Sequence, residues 1–285
     1  MKANAYRALA QNEDQGWFYE ARRRAIARLF EQFVQSELPD RHQTLNLLDV
    51  GCGTGGTTEF LRNYGHVTGV EPSSVAIRWL QQRFHDLPVI QGTVEDLSKL
   101  LPAHEYDVAS VLGVLSARGV KDPQGGLCAL RRALKPGGWL IWSDATYPVL
   151  RRQHDAFVEV DRRFYPGEMK RMLTQAGFEI VHGAPMLAWG FPVALGLSLL
   201  CRARKALGLL RNLADEQDTS DDRPLPVWLN ELLTRATYSE WQWSLSGIKA
   251  PVGVSYLLLA RKPQLTAAEH AAEQRVEPTV QKRAA

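Results

Sequence analysis

Short apolar runs alternate with amphipathic segments through the first half of the chain. The amphipathic segments include residues 74–84, where Ser73 or Ser74 can act as the N-cap, and residues 125–134, which end at the stop signal Lys135-Pro136-Gly137-Gly138. The runs typical of strands lie at residues 45–50, 66–70, 89–91, 107–112 and 139–143. This alternation, at intervals of about 20 residues, predicts a parallel sheet that is covered by helices.

The pattern is less regular on either side of this region. Residues 1–45 are polar with a helical period, and residues 264–285 have so little apolar content that we expect a flexible tail. Between them, after the fifth strand, the sequence predicts a helix at 167–176, a strand at 178–181, an uncharged run at 183–201, an amphipathic helix at 226–243 and a last strand at 252–260.

Composition and charge exclude several classes of protein. Hydrophobic residues make up 45% and charged residues 23% of the 285 residues, which excludes a disordered chain, a collagen-like fibre and a disulfide-stapled mini-protein. The net charge of +3 is too small to indicate a nucleic-acid partner. Cys52, Cys128 and Cys201 lie far apart and form no CxxC or Cys/His cluster, so we predict no metal site. The first residues contain no apolar signal segment, which predicts a cytoplasmic protein.

The glycine-rich turn after the first predicted strand carries the strongest chemical signal. Gly51-x-Gly53-x-x-Gly56 satisfies the dinucleotide fingerprint, and its backbone N–H groups can approach a ligand closely. Glu71 lies twenty residues after Gly51, at the end of the next strand, where an acid accepts hydrogen bonds from ribose hydroxyls. These features alone fit NAD and S-adenosylmethionine equally well, and a glycine turn without a ligand is the third interpretation.

Three further features separate these interpretations. Asp49 lies two residues before the first glycine, where a carboxylate would repel a pyrophosphate but suits a cationic ligand. Lys135-Pro136-Gly137-Gly138 precedes the fifth strand, and Gln175-Ala176-Gly177-Phe178 leads into the sixth. Together with the glycine loop, these motifs resemble those of the class I S-adenosylmethionine-dependent methyltransferases over residues 45–183 and 252–263.

The resemblance implies a fold and a division of the chain. The fold is a doubly wound, mainly parallel α/β sheet of seven strands, whose antiparallel last strand is formed by residues 255–260. Residues 46–183 and 252–263 would form the Rossmann-like core. An N-terminal helical segment at 1–45 would precede it, and a helical insertion at 184–251 would interrupt it.

The resemblance also implies a site for S-adenosylmethionine. Glu71 is expected to bind the ribose hydroxyls, and Leu112 is expected beneath the methyl group. The family usually has an acid at position 93 to meet the adenine, so Thr93 with the Val94 backbone, or Glu95 reaching in, must serve here. The residues expected around the methionine part are Asp49, Gly51, Cys52, Gly53 and Gly55.

Two further elements resemble a bacterial subgroup of the family. Its H-W-W-F-x-A-R-R entry is similar to Gly16-Trp17-Phe18-Tyr19-Glu20-Ala21-Arg22-Arg23, which places Arg22 at the cofactor carboxylate. Its H-D element after strand five matches His154 and Asp155, so His154 is expected to act as the base at the catalytic site that it forms with Asp155. The alternatives are an exposed arginine-rich helix face and a surface histidine with charged neighbours.

The insertion allows three interpretations. Its uncharged run of nineteen residues at 183–201 contains Pro185, Gly190, Pro192 and Gly196, so a transmembrane helix is not expected. An apolar cap over the acceptor is preferred, and a homodimer contact or a peripheral membrane element at 184–205 stays open.

These observations favour a methyltransferase for a small or lipid-like acceptor, with oxygen as the preferred methylated atom. An NAD(P)-dependent oxidoreductase is the alternative among enzymes, and Asp49 and the Lys135–Gly138 motif argue against it. A non-catalytic subunit that binds the cofactor is the alternative from another class.

Overall fold

The computed structural model describes residues 3–37, 44–207 and 225–264, in which helices and strands alternate along the chain. The helices are α1 (Ala3–Asn12), α2 (Trp17–Leu29), α3 (Gly56–Leu61), α4 (Ser74–Arg83), α5 (Leu97–Leu100), α6 (Pro123–Ala133), α7 (Gln153–Phe157), α8 (Pro166–Gln175), α9 (Phe191–Ala206) and α10 (Val227–Trp243). The strands are β1 (Leu45–Val50), β2 (Gly65–Glu71), β3 (Val89–Gln91), β4 (Tyr106–Leu112), β5 (Leu134–Ala145), β6 (Glu179–Met186) and β7 (Ser255–Arg261). The tail predicted at 264–285 lies outside the described residues, apart from Gln264.

The strands form one mixed sheet in the order β3-β2-β1-β4-β5-β7-β6. β7 is antiparallel to β5 and β6, whereas the pairs from β3 to β5 are parallel. The predicted seven-stranded sheet with its antiparallel last strand is therefore confirmed. The order reverses between β1 and β4, and ligands of such sheets bind outside the carboxyl ends of the strands at this switch point.

Helices cover both faces of the sheet because each face is apolar. One layer packs α5, α6 and α8 on the sheet around the buried Leu127, Trp142 and Met169. The other layer packs α2 and α10 on the opposite face around Ile26 and Trp241. Fully burying a side chain of this size contributes about 1.5–3 kcal/mol, so these two layers stabilise the strand ends that carry the site.

Two boundaries differ from the sequence prediction, and strand pairing is the reason for both. α6 ends at Ala133, just before the predicted stop signal, but β5 begins earlier than predicted and contains the Lys135–Gly138 motif, because Leu134 already pairs with Tyr106 ahead of a bulge. β6 continues past the predicted boundary at residue 184, because Met186 still pairs with Ser255 of β7. The uncharged run is thus divided between the end of β6 and α9.

Other local predictions hold at the level of single residues. Ser73 is the N-cap of α4, and its hydroxyl accepts a hydrogen bond from the Ala76 backbone N–H. The predicted helix at 226–243 is α10, which packs along α2. α9 leans on the segment Pro148–Leu150 that follows β5, so the insertion lies beside the carboxyl edge of the sheet.

Candidate functional site

The glycine loop after β1 has a backbone that only glycine adopts readily. Gly51, Gly53 and Gly55 have φ values of 73°, 56° and 94°, in the left-handed region. A Cβ at Gly51 would lie 2.2 Å from a methyl carbon of Val114. The loop turns back over β2, since the Gly51 N–H donates to the Val70 carbonyl at 2.7 Å. The loop therefore presents bare backbone at the switch point, where a ligand can approach closely.

Glu71 ends β2 as a buried carboxylate that faces this loop. Its Oε2 accepts from the Gly53 N–H at 3.0 Å, and its Oε1 accepts from the Ser73 N–H at 3.0 Å. The Tyr6 hydroxyl also donates to Oε1, at 3.1 Å. Four lone-pair positions on a carboxylate allow further donors, so Glu71 can accept from ligand hydroxyls in the place that the sequence predicts.

Helix α1 covers the site, a feature that no sequence motif signalled. Tyr6 is buried against Glu71, and Leu9 lies 3.4 Å from the position that a Cβ on Gly53 would take. Burial and the charge of Glu71 raise the pKa of Tyr6, so its hydroxyl stays protonated as a donor. The tyrosine therefore lies against the candidate site from a helix outside the sheet.

A second buried carboxylate anchors the end of α1 to the glycine loop. Glu13 accepts from the Thr54 hydroxyl at 2.6 Å and from the Gly56 N–H at 3.1 Å, at the first turn of α3. Arg83 of α4 pairs with Glu13, and it also binds both carboxylate oxygens of Asp14 at 2.6 and 2.7 Å. This network holds the N-terminal segment, the loop and α4 in one arrangement.

Arg22 of α2 is half-buried, and one nitrogen of its guanidinium is buried without a partner in the part of the chain that the structure describes. Its Nε has no hydrogen-bond partner among the described residues, and its carbon Cζ lies 5.8 and 5.6 Å from the ring centres of Phe18 and Tyr19. Burial lowers the pKa of Arg22, and the carboxylate of Asp49 opposes that shift. A cation with a buried, unpaired N–H donor favours an anionic partner from outside the chain.

Asp49 and Cys52 are both integrated into the scaffold below the loop. The Asp49 carboxylate accepts from the hydroxyls of Thr58 at 2.7 Å and Ser110 at 2.6 Å, and burial raises its pKa. The Cys52 side chain packs in the small cluster with Leu80, and burial raises the pKa of its thiol. Of the two, Asp49 brings charge near Arg22, whereas Cys52 contributes only apolar packing.

Residues 93–95, which the sequence predicts to lie at the adenine, and the neighbouring Asp96 use their carboxylates for hydrogen bonds within the protein. Thr93 donates its hydroxyl to Asp96 at 2.6 Å, and Val94 is buried in the core beside it. Glu95 accepts from the backbone N–H groups of Lys121 and Asp122 at 2.8 and 2.6 Å. Glu95 therefore stabilises the start of α6 instead of reaching toward the glycine loop. Thr93 and Val94 are left as the candidates for contact with the adenine.

Leu112 ends β4 at the switch point, half-buried next to Gly113 with φ 76°. The Gly113 N–H donates to the Ser143 carbonyl of β5 at 2.7 Å, so the backbone crosses from β4 toward β5 here. Leu112 packs partly against the core layer of α2 and α10. Its predicted position beneath the methyl group stays a prediction.

His154 and Asp155 lie on α7, after β5, but the structure gives them separate environments. Asp155 is buried, and both its oxygens accept from Arg163, at 2.6 and 2.7 Å. Arg163 also donates to the Thr146 carbonyl at 3.1 Å, so this ion pair ties α7 to the end of β5. His154 is half-buried, and its Nδ1 has no hydrogen-bond partner among the described residues. Asp155 is thus a structural anchor, whereas the buried Nδ1 of His154 is left without a partner among the described residues.

A cavity of about 390 Å³ opens at the carboxyl ends of β5 and β6. Aromatic and basic side chains dominate its lining, which includes Tyr147, Tyr165, Tyr256, Lys170 and Lys249. Tyr147 has φ 59°, in the left-handed region, a strained conformation for a bulky residue. Sequence analysis did not identify this cavity, because its residues come from five separate segments.

Comparisons with known proteins agree with this geometry. A family model described as "Methyltransferase domain" matches residues 48–140, from β1 to β5. The ubiquinone biosynthesis O-methyltransferase of Nitrosospira multiformis is 33% identical over 112 residues, covering 36% of this chain and 46% of that protein. The demethylmenaquinone methyltransferase of Tropheryma whipplei is 32% identical over 103 residues, covering 36% of this chain and 42% of that protein. The chain therefore matches less than half the length of either relative.

One solved structure illustrates the similarity of fold. A Thermotoga maritima protein described as an S-adenosylmethionine-dependent methyltransferase, possible histamine N-methyltransferase, superposes with a TM-score of 0.51 at 19% identity. The superposition covers 91% of this chain and 95% of that one. At this identity the similarity concerns the fold alone.

Proposed function

Because this chain belongs to the class I S-adenosylmethionine-dependent methyltransferase family, we propose that it binds S-adenosylmethionine at the glycine loop and methylates a small or lipid-like acceptor. The observation that carries the proposal is the half-buried Arg22, whose buried Nε has no partner among the described residues and whose charge is coupled to that of Asp49. S-adenosylmethionine supplies a methyl group on a positively charged sulfur, and its amino-acid end carries one carboxylate and one ammonium group. Arg22 matches the carboxylate, and Asp49 brings the negative charge that suits the ammonium.

The remaining residues of the site match the nucleoside part. Glu71 accepts the ribose hydroxyls, beside the donors that it already holds. The backbone of Gly51, Gly53 and Gly55 leaves room for the ligand where side chains would fill the turn. Thr93 and Val94 receive the adenine. These roles require binding and positioning, because methyl transfer depends mainly on proximity and on the exclusion of water.

The acceptor enters beside β5. The cavity lined by Tyr147 and Tyr256 lies at the same edge of the sheet as the glycine loop, and its aromatic walls suit an apolar or aromatic acceptor. His154 lies on α7, which follows the same strand, and its buried Nδ1 has no partner among the described residues, so we assign it the role of accepting the proton of a hydroxyl. A hydroxyl acceptor is therefore proposed, in keeping with the O-methyltransferase named among the relatives.

Calorimetric titration tests the cofactor. S-adenosylhomocysteine is expected to bind the purified protein, and NAD is expected to give no heat at the same concentrations. Binding of NAD in place of S-adenosylhomocysteine would refute the proposal. If S-adenosylhomocysteine binds but no hydroxyl acceptor from a panel of phenols and catechols is methylated, the chain is a non-catalytic binding subunit.

His154→Gln tests the base. The variant is expected to bind S-adenosylhomocysteine normally, while kcat for a hydroxyl acceptor falls by at least about a hundredfold. His85→Gln is the matched control, because His85 is exposed at the end of α4. Equal kcat values for the two variants would exclude His154 as the base.

A further inference from the structure

Exposed apolar side chains are concentrated in the insertion between β6 and β7. Within the described residues, fifteen large hydrophobic side chains are exposed, and twelve of them lie between Trp189 and Ile248. A concentration of exposed apolar side chains on one part of a folded protein indicates a contact with a partner or a membrane, whereas single exposed apolar residues need no explanation. The insertion is therefore the candidate interaction surface of the described residues.

Helix α9 is amphipathic, but its large apolar side chains lie on the exposed face instead of the buried one. Its inner face carries Ala194 and Ser198, and the Ser198 hydroxyl donates to the carbonyls of Val149 and Arg151 at 2.7 and 3.0 Å. Its outer face carries Val193, Leu197 and Leu200, which are 60%, 44% and 48% exposed. These three positions follow the i, i+4, i+7 spacing of one helical stripe. A helix that turns its apolar stripe outward in the folded chain has that stripe available for another surface.

The charges of α9 indicate the kind of surface. Arg202, Arg204 and Lys205 are its only charged residues, and all three are cationic. Arg204 is exposed in the last turns, and Trp189, 41% exposed, lies just before the first turn. Tryptophan and basic residues beside an apolar stripe are the composition of helices that lie in the interface of a bilayer.

We propose that the outer face of α9 rests on an anionic lipid surface. No helix in residues 3–37, 44–207 and 225–264 is long and apolar enough to cross a bilayer, so α9 would lie in the plane of the surface. A second copy of the chain fits this helix less well, because α9 contains no carboxylate that could pair with its cations across a symmetric contact.

The position of α9 connects this surface to the acceptor cavity. Phe191, in the first turn, packs edge-to-face on Tyr147 with ring centres 5.3 Å apart, and Tyr147 lines the cavity. A protein held on lipid through α9 therefore brings its cavity close to molecules dissolved in the bilayer. This last step rests on the proposed methyl transfer, whereas the lipid contact does not.

Flotation with vesicles tests the contact without any methyl donor. The full chain is mixed with vesicles of phosphatidylcholine alone, or of phosphatidylcholine containing phosphatidylglycerol. Wild type is expected to float with the anionic vesicles, and Leu197→Asp combined with Leu200→Asp is expected to reduce the floating fraction by about tenfold. Val181→Asp is the matched control, because Val181 is 40% exposed on β6, outside the insertion, and its substitution is expected to leave flotation unchanged.

A charge variant and the oligomeric state complete the test. Arg204→Glu is expected to weaken binding to anionic vesicles several-fold and to leave binding to neutral vesicles unchanged, whereas Lys99→Glu on α5 is the control for net charge. Circular dichroism establishes that each variant is folded. Wild type that stays with the unbound fraction for both vesicle types would overturn the proposal. If sedimentation then shows a dimer that the double variant dissociates, α9 is a subunit contact instead.

Discussion

The Tyr6 hydroxyl donates a hydrogen bond to Glu71 Oε1 at 3.1 Å, and both side chains are buried. The two residues are separated by 65 positions in the sequence, so the bond joins α1 to the carboxyl end of β2. Glu71 is the carboxylate proposed to hold the ribose. The N-terminal helix thus lies against the candidate cofactor site.

Tyr6→Phe removes this donor and keeps the ring. The free energy of unfolding is expected to fall by about 0.5–1.5 kcal/mol, because a buried acceptor loses one partner but keeps the Gly53 and Ser73 amides. Urea unfolding followed by circular dichroism measures the change. Tyr165→Phe is the control, since Tyr165 is exposed and its substitution should leave stability unchanged. Identical stability of Tyr6→Phe and wild type would show that the bond contributes nothing.

Glu71→Gln keeps the shape of the side chain and removes its charge. Hydrogen bonds to a charged group contribute about 1.5–3 kcal/mol, so S-adenosylhomocysteine is expected to bind roughly tenfold to a hundredfold more weakly. Isothermal titration calorimetry measures the dissociation constant. Glu59→Gln, an exposed glutamate on α3, is the control. A folded Glu71→Gln variant with unchanged affinity would remove Glu71 from the site.

Arg22→Met replaces the half-buried guanidinium with an apolar side chain. S-adenosylhomocysteine is expected to bind at least about tenfold more weakly, because its carboxylate loses a charged partner. 5′-Methylthioadenosine, which lacks the amino-acid part, is expected to bind both proteins equally. Arg24→Met is the matched control, because Arg24 lies on the same helix and pairs with Glu20 at the surface. An equal loss for both ligands would mean that Arg22 only supports the fold.

Gly53→Ala adds a methyl group in the left-handed region. An alanine in this backbone conformation lowers the free energy of unfolding by about 1–2 kcal/mol, whatever its surroundings. Gly247→Ala supplies the comparison, because Gly247 has φ 88° and no atom within 4 Å of an added Cβ, and it lies after α10. Similar melting temperatures for the two variants, with cofactor binding lost only in Gly53→Ala, are expected. Equal cofactor affinity in both variants would show that the loop is only a turn.

Asp144 predicts a pH dependence of stability. Burial raises the pKa of this carboxyl group to about 6, above the value of an exposed aspartate. The folded state therefore binds the proton more tightly, so the contribution of Asp144 to stability is present at about pH 4 and is lost as the pH rises through about 6. Relative to Asp144→Asn, wild type should lose up to about 3 kcal/mol of unfolding free energy between pH 4 and 7.

The comparison with Asp144→Asn separates this group from His182. Burial lowers the pKa of His182 to about 4, so its contribution to stability is lost in the opposite direction, as the pH falls below about 6.5. Both effects act over the same range, and the difference between wild type and Asp144→Asn cancels the histidine. Urea unfolding of both proteins at four pH values measures this difference in the free energy of unfolding. A difference that stays constant with pH would contradict the raised pKa.

The sequence alone predicted the seven-stranded sheet and the methyltransferase resemblance, and it placed the candidate cofactor site at the glycine loop. Alternating apolar runs predict strands because each strand must bury its side chains, and the glycine spacing predicts a bare turn because left-handed backbone excludes most other residues. The Ser73 cap was identified for the same reason, since its role depends on neighbours a few residues away, whereas Glu71 was identified by its position twenty residues after Gly51 at the end of the next strand. The methyltransferase resemblance is confirmed by the domain match over residues 48–140.

Only the tertiary structure decided the partners of residues that meet across long distances in the chain. Tyr6 and Glu13 reach the glycine loop from α1, and Arg163 binds both oxygens of Asp155, so that a predicted catalytic acid is a structural ion pair. The outward stripe of α9 belongs to the same class, because an apolar pattern shows that a helix has an apolar face but not whether a neighbour covers it. Periodicity reports the local geometry of one element, whereas burial and hydrogen bonding depend on which other elements pack against it.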